Sequence, residues 1–271
     1  MTSSMLARFI PGLCSVTLRA LPAHRVVELA ADAGLQAIEW GGDVHVPAGD
    51  VATADAVRRR TEEAGLSVCS YGSYFGRAGK TDDFAAVVEA ACALGAPCIR
   101  IWAGSLGSLD TTAAQRAELV ATVQAAADQA MAVGVQLAFE FHPKTLTDSV
   151  GSTLQLLAEV DRENVATYWQ PPLDLPDDDA VAGLRQILDD VVTVHAFSWW
   201  PGQHRRQLDS RSALWRAVAA ALSDRPEPVP VLLEFVPEDA PEAIRPEAAA
   251  LRHLFDLDAT LLDIDDRSLS E

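Results

Sequence analysis

Four times in the first half of this chain, an alanine-rich stretch with helical spacing ends at a glycine and turns at once into a short β-rich run. The passages read AADAGLQAIEW, TEEAGLSVCSY, ACALGAPCIRIW and QAMAVGVQLAFEF. Gly34, Gly65, Gly95 and Gly134 stand where a helix can stop in left-handed backbone, which glycine adopts without a Cβ penalty. The run after each glycine is too short for another helix and predicts a buried parallel strand. A helix-to-strand joint repeated this regularly restricts the chain to an alternating α/β architecture.

Continued along the chain, the rhythm predicts strands at 13–18, 36–41, 67–74, 98–103, 135–142, 165–170, 191–198 and 230–236. Helices are predicted at 22–33, 50–64, 82–94, 112–133, 150–160, 177–189, 210–222 and 241–255. Eight alternating pairs point to an α/β fold, a single (β/α)8 TIM barrel spanning 1–256. A doubly wound sheet is the alternative, but it usually has fewer units and a glycine-rich phosphate loop near its start, and no GxGxxG or GxxxxGK occurs here. The acidic segment 257–271 is expected to be a frayed tail.

A hydrophobic fraction of 49% is enough to fill such a core, and the net charge of −18 opposes binding to nucleic acid or to an anionic membrane. The four cysteines, Cys14, Cys69, Cys92 and Cys98, form no CxxC pair and are expected to be buried, reduced thiols. No uninterrupted apolar stretch approaches the ~20 residues of a membrane helix, and the N-terminal residues lack the pattern of a signal peptide. A cytoplasmic protein acting on a small molecule is expected; a homo-oligomer is left open.

The chemistry is carried by four apolar runs in the second half. VQLAFEFH holds Glu140, VATYWQP holds Gln170, VVTVHAFSW holds His195 and PVLLEFV holds Glu234, each near the C-terminal end of its run. In a (β/α)8 barrel the C-terminal strand ends converge on the active-site face. A carboxylate deep in an apolar strand must be paired, protonated or metal-bound, because burying it bare is costly. Two glutamates, an amide and one imidazole form an oxygen-rich donor set. It suits one divalent ion, Mn²⁺ or Mg²⁺ first, with Co²⁺ or Zn²⁺ as alternatives. Gln170 can serve as a ligand through its amide oxygen or as a hydrogen-bonding partner of the substrate.

Strand rhythm and these four positions resemble the xylose-isomerase-like superfamily of TIM barrels, which includes sugar isomerases, ketose 3-epimerases, inosose dehydratases and endonuclease IV. In its sugar epimerases Glu, Asp, His and Glu from the last four strands hold one divalent metal. Glu140, His195 and Glu234 match three of these, and Gln170 stands where the family has Asp. The histidine those epimerases carry three residues later is Leu173 here. The resemblance implies a metal-dependent isomerase or epimerase of a small sugar or polyol carbonyl compound, in which Glu140 and Glu234 are also acid and base. A metal-polarised carbonyl acidifies the neighbouring C–H and stabilises an enediolate.

Further substrate contacts are expected from strand-end residues. They are Trp40 and His45 after the second strand, Tyr74 after the third, and Arg100 and Trp102 on the fourth. His142 and Lys144 follow the fifth, and Trp199 and Arg206 the seventh. A dehydratase of a keto-polyol would begin with the same proton abstraction and is the leading alternative. A non-catalytic ligand-binding barrel is a further one. A zinc-cluster phosphodiesterase is disfavoured, because His24 and His253 fall in helices and the charge is acidic.

Overall fold

The computed structural model describes residues 8–77 and 83–255. Eight parallel strands close into a barrel: β1 (Phe9–Cys14), β2 (Ala37–Gly41), β3 (Ser67–Gly72), β4 (Cys98–Ile101), β5 (Gln136–Phe139), β6 (Val165–Trp169), β7 (Val191–Ala196) and β10 (Val229–Leu233). The order around the barrel is β1-β10-β7-β6-β5-β4-β3-β2, so sequence neighbours are spatial neighbours throughout. The surrounding helices are α1 (Ala23–Asp32), α2 (Val51–Glu63), α3 (Phe84–Leu94), α4 (Ala113–Met131), α5 (Val150–Val160), α6 (Asp177–Gln186), α7 (Ser212–Leu222) and α8 (Ile244–Leu254). The acidic tail at 257–271 lies outside the described residues.

The joints that set the rhythm behave as their chemistry requires. Gly34, Gly65, Gly95 and Gly134 all have φ between 71° and 76°, the left-handed region. The opposite helix ends are fixed by side chains that accept from orphan amides. Asp50 caps α2, Ser149 caps α5, and Thr112 forms a reciprocal capping box with Gln115 on α4. The helices then bury one stripe each against the strands. In α3 it is Phe84, Val87, Ala90, Ala91 and Leu94, spaced at three and four residues.

Two expectations are corrected. The first strand runs at Phe9–Cys14 instead of 13–18, and Ser15–Leu18 form a 3-10 turn. Pro11 and Gly12 resemble a break, yet they lie inside the strand. A Cβ on Gly12 would meet Leu232 Cδ2 at 2.5 Å and the Ala37 carbonyl oxygen at 2.7 Å, so the neighbouring strands pass too close for any side chain there. The cysteines are all free, but they are not all buried. Cys92 is exposed, because it falls on the outer face of α3 between Ala91 and Leu94.

Beyond the barrel, an antiparallel pair, β8 (Ser198–Trp199) and β9 (Arg205–Arg206), forms a hairpin after β7. Ser198 anchors it by donating from Oγ to the Leu208 carbonyl at 2.8 Å and accepting from Trp215 Nε1 at 3.0 Å. This hairpin raises one wall over the C-terminal end of the barrel.

Candidate functional site

Ladder hydrogen bonds run on past the ends of the strands and fix the site residues on rigid backbone. The Glu140 amide donates to the Ile101 carbonyl at 2.9 Å, and the Glu234 amide to the Ala196 carbonyl at 3.1 Å. Glu140, Gln170 and Glu234 therefore stand one residue beyond β5, β6 and β10, and His195 is the penultimate residue of β7. These four strands are consecutive around the barrel, β5-β6-β7-β10. One carboxylate oxygen each from Glu140 and Glu234 and a ring nitrogen of His195 lie within 4.8 Å of one another. Gln170 is also buried, and its Oε1 has no hydrogen-bond partner.

Beneath this group lies a residue that the sequence reading missed. Glu39 on β2 has no exposed surface. Its Oε1 accepts from Cys14 Sγ at 3.1 Å and lies 3.4 Å from His195 Nε2 and 3.6 Å from Arg100 Nη1. Its Oε2 accepts from Ser70 Oγ and Tyr168 Oη, both at 2.8 Å. Arg100, 2% exposed, places Nη1 2.9 Å from Glu140 Oε2 and so links the two glutamates. On the other side of the imidazole, His195 Nδ1 is 3.3 Å from Glu234 Oε2.

The electrostatics follow from that crowding. Burial raises the pKa of Glu39, but Arg100 and His195 outweigh it and hold the carboxyl well below its ordinary range. Burial opposes charge on His195, yet Glu234 and Glu39 together lift its pKa well above the ordinary value. Glu140 is pushed up by burial and by Glu234, against the pull of Arg100 and His195. In the ligand forms that bind a cation, three buried carboxylates and a neutral imidazole beside one guanidinium would leave two negative charges, the charge a divalent ion balances. The unpartnered Gln170 Oε1 and His195 Nδ1, the ring nitrogen on the Glu234 side, are the kind of orphaned donors such an ion satisfies. The residues present therefore fit one divalent ion held by Glu140, Gln170, His195 and Glu234.

Above them opens a cavity of about 370 Å³, within the ~300–1,000 Å³ usual for small-molecule sites. Glu140, Gln170 and Glu234 form part of its floor, and Tyr74, Arg100, Trp102, His142, Lys144 and Trp199 are among its walls. Trp102 stacks on Tyr74 with centroids 5.8 Å apart, and Arg77 lies 4.3 Å over its face. Leu173, which stands where the related epimerases carry a histidine, also lines the cavity, as do Arg19, Arg77, Asp148 and Phe235, which were not singled out in the sequence. Lys144 and Phe235 have φ of 61° and 51°, strained for residues with a Cβ, and both face the cavity.

Three expected contacts lie elsewhere. Trp40 is wholly buried in the core. His45 is turned away, with Nε2 3.0 Å from the Leu21 carbonyl oxygen and Nδ1 3.1 Å from Ser15 Oγ. Arg206 is exposed on β9 and does not line the cavity. A strand end narrows a residue to one end of the barrel but does not tell which way its side chain turns.

A family profile described as "Xylose isomerase-like TIM barrel" matches residues 27–254. The chain belongs to this family. A 3-dehydroshikimate dehydratase of Bacillus anthracis is 39% identical over 67 residues, which span 25% of this chain and 24% of that protein. Among solved structures, a probable 3-DHS dehydratase from Bacillus anthracis superposes with a TM-score of 0.74 at 19% identity, covering 90% of this chain and 98% of the other. A D-psicose 3-epimerase from Clostridium cellulolyticum superposes with a TM-score of 0.70 at 12% identity, covering 91% and 99%. At these identities the superpositions show a shared fold.

Proposed function

We propose that this chain is a divalent-metal-dependent isomerase or epimerase of a small sugar or polyol carbonyl compound. The observation that carries the reading is the convergence of Glu140, His195 and Glu234 within 4.8 Å, with both glutamates at the floor of a small-molecule cavity. When bound, the ion supplies a Lewis acid that polarises a carbonyl and acidifies the adjacent C–H. The chain's own groups do the proton work. One of Glu140 and Glu234 takes the proton from that carbon. The other returns one, either to the opposite face of the same carbon, which inverts its configuration, or to the former carbonyl carbon while the neighbouring hydroxyl's proton passes to the old carbonyl oxygen, which shifts the carbonyl by one position. Arg100 holds Glu140 in place through its Nη1 and keeps a positive charge beside the developing negative one. Trp102, Phe197, Trp199 and Phe235 wall the cavity with aromatic surface that limits water near the reacting carbon.

A second reading is a dehydratase of a keto-polyol, and the 39% identity to a 3-dehydroshikimate dehydratase over 67 residues favours it. It shares the first step. The electron pair then expels a β-hydroxyl, which leaves as water after accepting a proton from an acid such as His142 on the cavity wall.

The test is incubation with Mn²⁺ in D₂O against a panel of keto-sugars, inososes, sugar phosphates and 3-dehydroshikimate, followed by mass analysis. The expected outcome is one solvent deuterium beside the carbonyl with the carbon skeleton and water content unchanged. Loss of one water supports the dehydratase instead. Absence of both across the panel overturns the proton-transfer chemistry.

A further inference from the structure

Among the described residues, Glu39 is the one buried carboxylate of the barrel centre that does not line the cavity. It therefore touches no substrate and acts only through its neighbours. Two of those are the groups on which the centre depends: His195, whose Nε2 is 3.4 Å away, and Arg100, whose Nη1 is 3.6 Å away. The imidazole lies between two carboxylates, Glu39 at Nε2 and Glu234 at Nδ1. Nδ1 is the nitrogen on the side of Glu234, which lines the cavity, and Nε2 is the one on the side of Glu39, which does not.

We propose that Glu39 is the positioning residue of the metal centre. As acceptor for Nε2–H it fixes the His195 tautomer with the Nδ1 lone pair directed at the ion, and through Arg100 it steadies Glu140. A carboxylate behind a ligating imidazole sets both ring orientation and basicity. This inference rests on the metal reading above.

The surroundings of Glu39 point to this role over that of a second metal ligand, although Cys14, Glu39 and His195 also bring ligand atoms within 4.8 Å of one another. Ser70, Tyr168 and Cys14 all donate to its oxygens. Those donors hold the carboxylate rigidly and turn hydrogens, not lone pairs, toward it. A cation beside Glu39 would have to displace them in a fully buried place. The anchors come from β1, β3 and β6, so the residue behind the imidazole is held from three further strands of the barrel.

The test uses Glu39→Gln and Glu39→Asp in the full chain. The two readouts are Mn²⁺ affinity of the demetallated protein and the imidazole ¹⁵N spectrum of the Mg²⁺-loaded protein. Glu39→Gln is expected to weaken Mn²⁺ binding about 10–100-fold, because the amide can turn an N–H toward Nε2 and favour the wrong tautomer. Glu39→Asp is expected to recover part of that loss. In the unsubstituted protein His195 is expected to show a protonated Nε2 with a downfield proton, a signature that packing alone does not produce. If Glu39→Gln keeps Mn²⁺ affinity within threefold, or if Nδ1 carries the proton in the Mg²⁺-loaded protein, the inference is overturned. Should the variants not fold, the spectrum of the unsubstituted protein decides alone. A native protein that binds no Mn²⁺ removes the metal reading and this inference together, whereas tight native binding left unchanged in Glu39→Gln removes this inference only.

Discussion

In the proposed reaction Glu140 and Glu234 carry two demands at once, as donors to a cation and as the pair that moves a proton, and substitution by glutamine separates charge from shape. Glu140→Gln and Glu234→Gln are each expected to lower turnover about 10²–10⁴-fold with the fold retained. A variant that keeps more than about a tenth of the native rate would remove that residue from the acid/base pair. Gln170 invites the opposite change. Gln170→Asp shortens the reach and adds a negative charge, so Mn²⁺ is expected to bind as tightly or more tightly while turnover slows, because a better-neutralised ion is a weaker Lewis acid. Metal titration and steady-state kinetics on one preparation separate this from a substrate-only role, in which the metal constant would not move. These four proposed donors were legible as candidates in the sequence because each stands as a lone polar group in an apolar run. Glu39 in AIEW carries the same signature and could have been found by the same logic. Its run lies outside the last four strands, and its position beneath His195 depends on which face of β2 turns inward, a fact set by register. Trp40, its neighbour, was expected at the cavity, yet alternation along the strand sends the two side chains in opposite directions.

The element that shows most clearly how loops support the site is the 3-10 turn Ser15–Leu18 after β1. Ser15 Oγ accepts from the Gly41 amide at 2.8 Å, which leaves its hydroxyl hydrogen for His45 Nδ1 and assigns the Nε2–H of His45 to the Leu21 carbonyl. His45 is thus a neutral brace between the β1 and β2 loops. Burial lowers its pKa, outweighing the pull of the Leu21 carbonyl and Asp43. The sign follows directly. A histidine whose folded pKa is depressed stabilises the fold above its unfolded pKa, about 6.5, and that contribution is lost as pH falls through the folded value. Urea unfolding between pH 8 and pH 5 is therefore expected to show a steeper acid loss in the native protein than in His45→Gln. The difference should approach at most about 1.4 kcal/mol per pH unit for one proton. Parallel curves would show that His45 is not buried neutral. Helices and most strands could be placed from sequence because capping residues and glycine joints are local chemistry. The β8–β9 hairpin could not, since what makes it a hairpin is tertiary. Ser198 and Trp215 tie it down across 17 residues, and the run FSWWPGQHRR carries no alternation that marks it as two strands.

At the scale of the whole molecule, the proposed ligands come from four consecutive strands, β5, β6, β7 and β10, which make up half of the closed barrel. An ion held there ties that half together, and Glu39 and Arg100 connect it to β2 and β4 across the interior. Binding to the folded state alone must then raise stability, since the unfolded chain cannot assemble donors 30, 25 and 39 residues apart, at positions 140, 170, 195 and 234. At a free Mn²⁺ concentration a hundredfold above the dissociation constant the gain is about 2.7 kcal/mol. For a barrel of this size that corresponds to a rise in Tm of roughly 5–11 °C. Chelation should reverse it fully. His195→Ala removes the single nitrogen donor, and with it most of the affinity, so the same Mn²⁺ concentration is expected to shift the variant's Tm by less than about 2 °C, whatever its metal-free baseline. Comparing shifts instead of absolute midpoints matters here. Deleting His195 also leaves Glu39 and Glu234 without the imidazole between them, and that alone changes the metal-free stability. Equal Mn²⁺-induced shifts in the native protein and in His195→Ala, measured by thermal unfolding with and without chelator, would show that the imidazole does not hold the ion and that the stabilising site lies elsewhere on this acidic chain.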